Sequence, residues 1–130
     1  MRRAGIVFLF AVLLTACAPA AAPPAAQAAD QRFPDIVEVE VSGAAPVYSF
    51  AVTVSSPYDS PQRYADAFRV RAQDGSVFGV RELAHDHAAE QPFTRTLPEV
   101  TIPAGVTRVV VEGRDLANGW GGGTQTVELP

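Results

Sequence analysis

An all-β fold, a single small antiparallel β-sandwich of about seven strands, is predicted by three observations. From residue 35 onward apolar residues recur with a period of two, the mark of a half-buried strand. Turn signals built from Gly, Pro, Asn and Asp interrupt these runs every 8–12 residues or so. No segment carries a helical period of apolar residues.

Ile36-Val37-Glu38-Val39-Glu40-Val41 alternates valine with glutamate and predicts the first strand, closed by the turn Ser42–Pro46. Tyr48, Phe50, Val52 and Val54 share one face of the second, with Ser49, Ala51 and Thr53 on the other. Ser55–Arg63 is a polar loop with two prolines. A third strand starts at Tyr64, and Tyr64 and Phe68 are expected to fill the core. Asp74-Gly75 marks a hairpin into the fourth strand. A three-residue loop, Gln73-Asp74-Gly75, with Gly75 in the left-handed position pairs Phe68 with Val80 and Val70 with Phe78. That register separates the faces cleanly, and a slip of one residue would exchange them. It sends Arg69, Arg71 and Arg81 outward as a basic stripe beside Glu112, so cross-strand ion pairing is expected there.

Ala84–Thr96 is the least regular stretch. Leu97–Ile102 predicts a fifth strand, Pro103-Ala104-Gly105 a turn, and Val106–Glu112 a sixth strand with Val109 and Val111 inward. Gly113–Gly123 contains an expected glycine-rich loop, Asp115–Gly123, and Thr124–Leu129 is expected as a closing seventh strand. Because antiparallel strands alternate in direction, the long loops Ser55–Arg63, Ala84–Thr96 and Asp115–Gly123 then share one pole with the N-terminal entry. The short turns share the other pole. Function is expected at the loop pole.

The last third, a strand entered through Pro-x-Gly and left through an Asn-Gly loop, resembles immunoglobulin-like and fibronectin type III domains. The resemblance covers residues 97–129 and implies an immunoglobulin-like sandwich. The run His85-Asp86-His87-Ala88-Ala89-Glu90-Gln91-Pro92-Phe93-Thr94-Arg95 is also similar to one in small uncharacterised exported bacterial proteins.

Ahead of the sandwich, Arg2 and Arg3 precede about eleven mostly apolar residues, Ala4–Leu14. This is the pattern of a secretory signal peptide and is too short for a spanning helix, which needs ~20 apolar residues. Leu14-Thr15-Ala16-Cys17 resembles the lipobox of bacterial lipoproteins. The resemblance implies diacylglycerol transfer to the Cys17 thiol, cleavage before it and acylation of the new amino terminus. Cys17 is the only Cys in the chain. Two or more acyl chains anchor stably where one does not. The alternative is a plain secreted protein cut later, at Ala26-Gln27-Ala28. Ala18 after the Cys, by the same resemblance, implies the periplasmic face of the outer membrane in a Gram-negative cell. The expected organisation is a signal peptide over 1–16, the lipidated Cys and a disordered Ala/Pro-rich tether over 17–34, and the sandwich over 35–130.

The chain carries a net charge of −4. Removing Arg2 and Arg3 leaves eight Arg against fourteen acids, near −6. An acidic domain outside the cytoplasm argues against nucleic acid as a partner. The expected partners are the membrane, through the lipid, and an envelope protein or glycan.

His85 and His87, two apart in an extended segment, point the same way and form a candidate metal site with Glu90, suited to Zn²⁺ or Cu²⁺. Otherwise they are two histidines of a solvated loop. Trp120 among glycines, near Tyr58, is a candidate surface for a ligand or partner. Its competing reading folds Trp120 back over the open end of the core. No nucleophile elbow, phosphate loop or free thiol is present, so no enzyme is expected. The function expected is a non-catalytic binding or adaptor module on the cell envelope, with a periplasmic metal-binding protein as the alternative.

Overall fold

The computed structural model describes residues 30–130. The segments read as signal peptide and lipobox with Cys17, and the expected tether up to residue 29, lie outside the described residues. Seven antiparallel strands make two sheets: β1 (Asp35–Ala44), β2 (Val47–Ser55), β3 (Ala65–Arg71), β4 (Val77–Glu82), β5 (Phe93–Thr101), β6 (Arg108–Asp115) and β7 (Gly119–Glu128). One sheet has the order β1-β2-β5 and the other β4-β3-β6-β7. The predicted all-β sandwich is therefore the fold.

The core lies between the sheets and is built by the alternating faces. Tyr48, Phe50, Val52 and Val54 of β2 are all buried, as are Phe68 and Val70 of β3 and Val109 and Val111 of β6. Phe50, Phe68 and Phe93 are fully enclosed, each contributing roughly 1.5–3 kcal/mol from burial. Tyr64 stays half-exposed outside the core; its carbonyl instead accepts the Leu116 amide at 3.0 Å.

Three further expectations are corrected. First, the Gln73-Asp74-Gly75 loop forms as predicted, with Gly75 at φ 97° and Ala72 donating to the Ser76 carbonyl at 2.7 Å. A bulge two residues later then shifts the register. Arg71 pairs with Val77, but Val70 pairs with Gly79, leaving Phe78 as the extra residue. Phe68 therefore faces Arg81, not Val80. Since directly opposed residues share a face, Arg81 turns inward and Val80 outward, where it is 40 % exposed.

Second, β5 starts at Phe93, so the irregular stretch shrinks to residues 83–92. Its inward row is Phe93, Arg95 and Leu97, opposite Val54, Val52 and Phe50 of β2. Arg95, like Arg81 of β4, is an arginine in an inward position that interrupts the apolar row.

Third, Gly119–Gly123 is not a loop but the first half of β7. The β6–β7 connection is a tight hairpin whose closing pair is Asp115 and Gly119. The glycines make room for the entering chain. A Cβ on Gly113 would sit 2.6 Å from Pro34 Cγ, on Gly121 2.7 Å from Phe33 Cδ1, and on Gly122 2.0 Å from the Pro34 carbonyl oxygen. The Gly123 amide donates to Asp35 Oδ1 at 2.6 Å. Phe33 and Pro34, just ahead of β1, are thus packed on the sandwich, and Pro34 is fully buried.

Candidate functional site

Three connections, β2–β3, β4–β5 and β6–β7, meet at the pole where the chain enters. Two buried carboxylates organise them. Asp59 accepts the Ala65 amide on Oδ1 at 3.1 Å and the His87 amide on Oδ2 at 2.9 Å, so one side chain ties the β2–β3 loop to the β4–β5 loop. Ser56, also buried, donates its amide to Gln91 Oε1 at 2.7 Å, and Gln91 Nε2 donates to the His87 carbonyl at 3.1 Å. Asp115 closes the β6–β7 hairpin: Oδ2 accepts the amides of Ala117 and Asn118 at 2.9 and 2.8 Å.

Arg63 is the hub between this hairpin and the entering chain. Its Nε lies 3.1 Å from Asp115 Oδ1, and its Nη2 donates to the carbonyls of Gln31 and Arg32 at 2.9 and 2.7 Å. Its guanidinium also stacks over the Tyr58 ring at 3.9 Å. The Tyr58 hydroxyl is buried against Asp115 but falls short of hydrogen-bond geometry. Burial first, and then the Asp115 carboxylate, push that phenol far above its ordinary range. Burial acts to raise Asp115 as well. The Tyr58 hydroxyl, the Asn118 and Ala117 amides and the Arg63 guanidinium outweigh it, so the carboxyl titrates below its ordinary value.

Tyr58 and Trp120 are not neighbours in one aromatic patch. Trp120 stands in β7 opposite Arg114 of β6, on the outer face of the four-stranded sheet. Neither a loop tip nor a lid on the core describes it. The Arg69 guanidinium lies 4.1 Å and that of Arg114 5.2 Å from its ring centroid. Both arginines are themselves held: Arg69 by Glu112 at 2.8 Å, and Arg114 by Asp66 and Glu82, each at 2.8 Å. Arg71 joins Glu112 at 3.1 Å, so the ion pairing expected for Arg69 and Arg71 is present. Arg81 takes no part in it.

His85 and His87 come together, their ring centroids 4.7 Å apart. His87 is buried and stacks on Phe93 at 3.8 Å, with Nδ1 4.0 Å from Asp59 Oδ2. Burial, then the nearby charges of Arg95 and His85, hold its imidazole below the ordinary value. His85 is exposed, and its Nδ1 is 2.8 Å from the Asp86 carbonyl oxygen. Glu90 turns to Arg95, 3.1 Å away, and that hydrogen bond lowers its carboxyl. Among the described residues no group of three or more His, Cys, Asp or Glu is placed to hold a metal ion. His87 is packed as a core ring, a role the spacing of the two histidines does not reveal.

The fold and this pole define a small all-β sandwich whose loops are cross-braced by buried carboxylates. No family model matches the chain. It is similar to a protein of Halomicrobium mukohataei named "Putative lipoprotein", with 36% identity over 100 residues, 76% of this chain and 49% of that protein. The chain thus spans about half the length of that relative. Among solved structures, hypothetical protein PH1083 from Pyrococcus horikoshii OT3 aligns over 78% of this chain and 90% of its own, at 12% identity and a TM-score of 0.48.

Proposed function

We propose that this chain is a lipoprotein of the cell envelope, held to the membrane through acyl chains on Cys17, whose sandwich serves as a non-catalytic binding module. The observation that carries the anchor is the coincidence of Leu14-Thr15-Ala16-Cys17 with a 36%-identical relative that bears the name of a lipoprotein. The strand order β1-β2-β5 against β4-β3-β6-β7 supports reading the sandwich as immunoglobulin-like, a fold that presents loops at its poles.

Asp115 and Asp59, the buried carboxylates of the loop pole, are occupied by backbone amides and by Arg63. Neither is offered to a substrate, which favours binding over catalysis. The binding surface we propose is this pole with the adjoining half-exposed Trp120. Trp, Tyr and Arg are enriched among the residues that carry binding energy where proteins meet partners.

Replacing Cys17→Ser tests the anchor. The variant is expected to leave the membrane fraction, and unchanged partitioning would refute lipidation at this residue. Trp120→Ala is expected to lose the partners that crosslink to the wild-type protein in cells. An identical crosslinking pattern removes Trp120 from the proposed surface.

A further inference from the structure

The β4–β5 loop is a flap between two buried ends. Leu83 enters it with its amide donating to the Asp66 carbonyl at 2.8 Å, and Phe93 leaves it as the first residue of β5. Between them, within residues 84–92, His87 alone is buried. The flap is tied to the β2–β3 loop by the His87 amide on Asp59 and by Gln91 on Ser56. Gln91 Nε2 lies 3.2 Å from Ser56 Oγ and 3.1 Å from the His87 carbonyl oxygen, which it shares with the Glu90 amide at 3.0 Å. These ties converge on His87 and Gln91, and His87 is the flap residue whose side chain enters the interior.

A ring placed this way suits the neutral imidazole and not the imidazolium. Its side chain is 3% exposed, it stacks nearly parallel on Phe93, and Nδ1 is buried without a hydrogen-bond partner. The charged groups that face it are Asp59 from the β2–β3 loop, Arg95 from β5, and His85 and Glu90 from the flap itself. The Asp59 carboxylate favours a proton on the ring, but Oδ2 lies 4.0 Å from Nδ1, beyond hydrogen-bond distance. Both Asp59 oxygens already accept amides, and Glu90 is exposed and turned to Arg95. Burial, Arg95 and His85 therefore outweigh the two carboxylates and disfavour the charged ring.

We infer that His87 is a proton-operated latch: its neutral ring holds the β4–β5 flap shut over Asp59 and Phe93, and protonation of the ring releases the flap. In the open flap the imidazole meets water and takes its ordinary value of about 6.5. In the closed flap it titrates lower. Above the ordinary value the latch is therefore fully engaged. As pH falls below it, the open flap gains a proton that the closed flap excludes, and closure weakens by up to about tenfold per pH unit until the lower value is passed. Acid thus bares a carboxylate and an aromatic ring at the pole where the chain enters. The latch needs neither the anchor nor Trp120.

Hydrogen exchange reads both sides of the latch in the full-length protein, purified in an uncharged detergent. The His87 amide reports the tie to Asp59, and the Ser56 amide the tie to Gln91. With rates corrected for the intrinsic effect of pH, the protection of both is expected to fall several-fold between about pH 6.5 and about pH 5. The Val52 and Val111 amides keep theirs. His87→Phe retains an aromatic ring for the stack on Phe93 and removes the proton site, so its protection is expected to stay level over that interval. His85→Asn is expected to keep the fall, because His87 is still present. Independently of any variant, the His87 Cε1–Hε1 resonance of the wild type is expected to titrate below about pH 6.5, over the range in which protection is lost. Level protection in the wild type, a His87 ring that titrates at or above its ordinary value, or a fall that survives in His87→Phe overturns the latch and leaves His87 a packing residue.

Discussion

The Arg69 guanidinium lies 4.1 Å above the Trp120 ring while Glu112 grips it from the other strand, 2.8 Å away. One residue of β3 thereby fixes the lone Trp of β7 across β6. The aromatic is braced on the sheet, so its exposed edge is presented rigidly. A cation over an indole contributes about 0.5–1 kcal/mol when exposed and about 2 when desolvated. A double-mutant cycle with Arg69→Ala and Trp120→Phe in urea is expected to return a coupling of about 1 kcal/mol. Arg69→Ala alone is expected to change the emission of Trp120, the only Trp in the chain. Additive effects and an unaltered emission spectrum would mean that the stack does not persist in solution.

The glycines with positive φ divide by what surrounds them. Gly122 has φ 86° and a Cβ there would meet the Pro34 carbonyl oxygen at 2.0 Å, whereas Gly75 has φ 97° and open space. Gly75→Ala is expected to cost about 1–2 kcal/mol, the left-handed penalty alone. Gly122→Ala adds the displacement of Pro34 and is expected to cost roughly 2–5 kcal/mol in all. Equal losses in denaturant midpoint for the two variants would show that the entering segment is not seated against β7.

Asp115 predicts an acid limb. Its folded carboxyl titrates below the ordinary value because the Tyr58 hydroxyl, two amides and Arg63 overcome the opposing effect of burial. In the acid range the unfolded chain then holds more protons than the folded one, so stability rises with pH there. The contribution is complete above the ordinary Asp range, about pH 4, and fades as pH falls through the lower folded value. Asp115→Asn is expected to be less stable than wild type at pH 7, with the gap narrowing towards pH 2.5. A gap that stays constant over that interval contradicts the assignment.

The inward rows of β2 and β6 were legible in the sequence because alternation puts Tyr48, Phe50, Val52 and Val54 on one face of β2 and Val109 and Val111 on one face of β6. Trp120 and its glycines were not. A glycine run signals a loop only when nothing else needs the space, and here the need arises from Phe33, Pro34 and Asp35, far away in the chain. Asp115 followed by Asn118-Gly119 was the turn signal that marks the hairpin instead. The bulge at Phe78 was invisible for a related reason: it sacrifices the clean separation of faces by which register is read. For the loop pole, Asp59 and Asp115 look like ordinary loop carboxylates, and only the converging amides distinguish them.

Asp59 allows the bracing of that pole to be tested directly. It is 6% exposed, and its two oxygens serve two buried amides from different segments, those of Ala65 and His87. Asp59→Ala leaves both amides without an acceptor, at about 1–3 kcal/mol each, hence roughly 2–6 kcal/mol in all. Asp59→Asn keeps one carbonyl oxygen but directs an NH₂ group at the other amide, so it is expected to recover about half of the loss. The location of the damage is as informative as its size. His87 is held by this amide bond and by its stack on Phe93, so the first opening should release the β4–β5 loop while β2, β3 and β6 stay paired. Hydrogen exchange in Asp59→Asn is expected to accelerate at the His87 amide well before the Val52 or Val111 amides. Uniform acceleration across all of them would instead make Asp59 a determinant of global stability and not the tie between two loops.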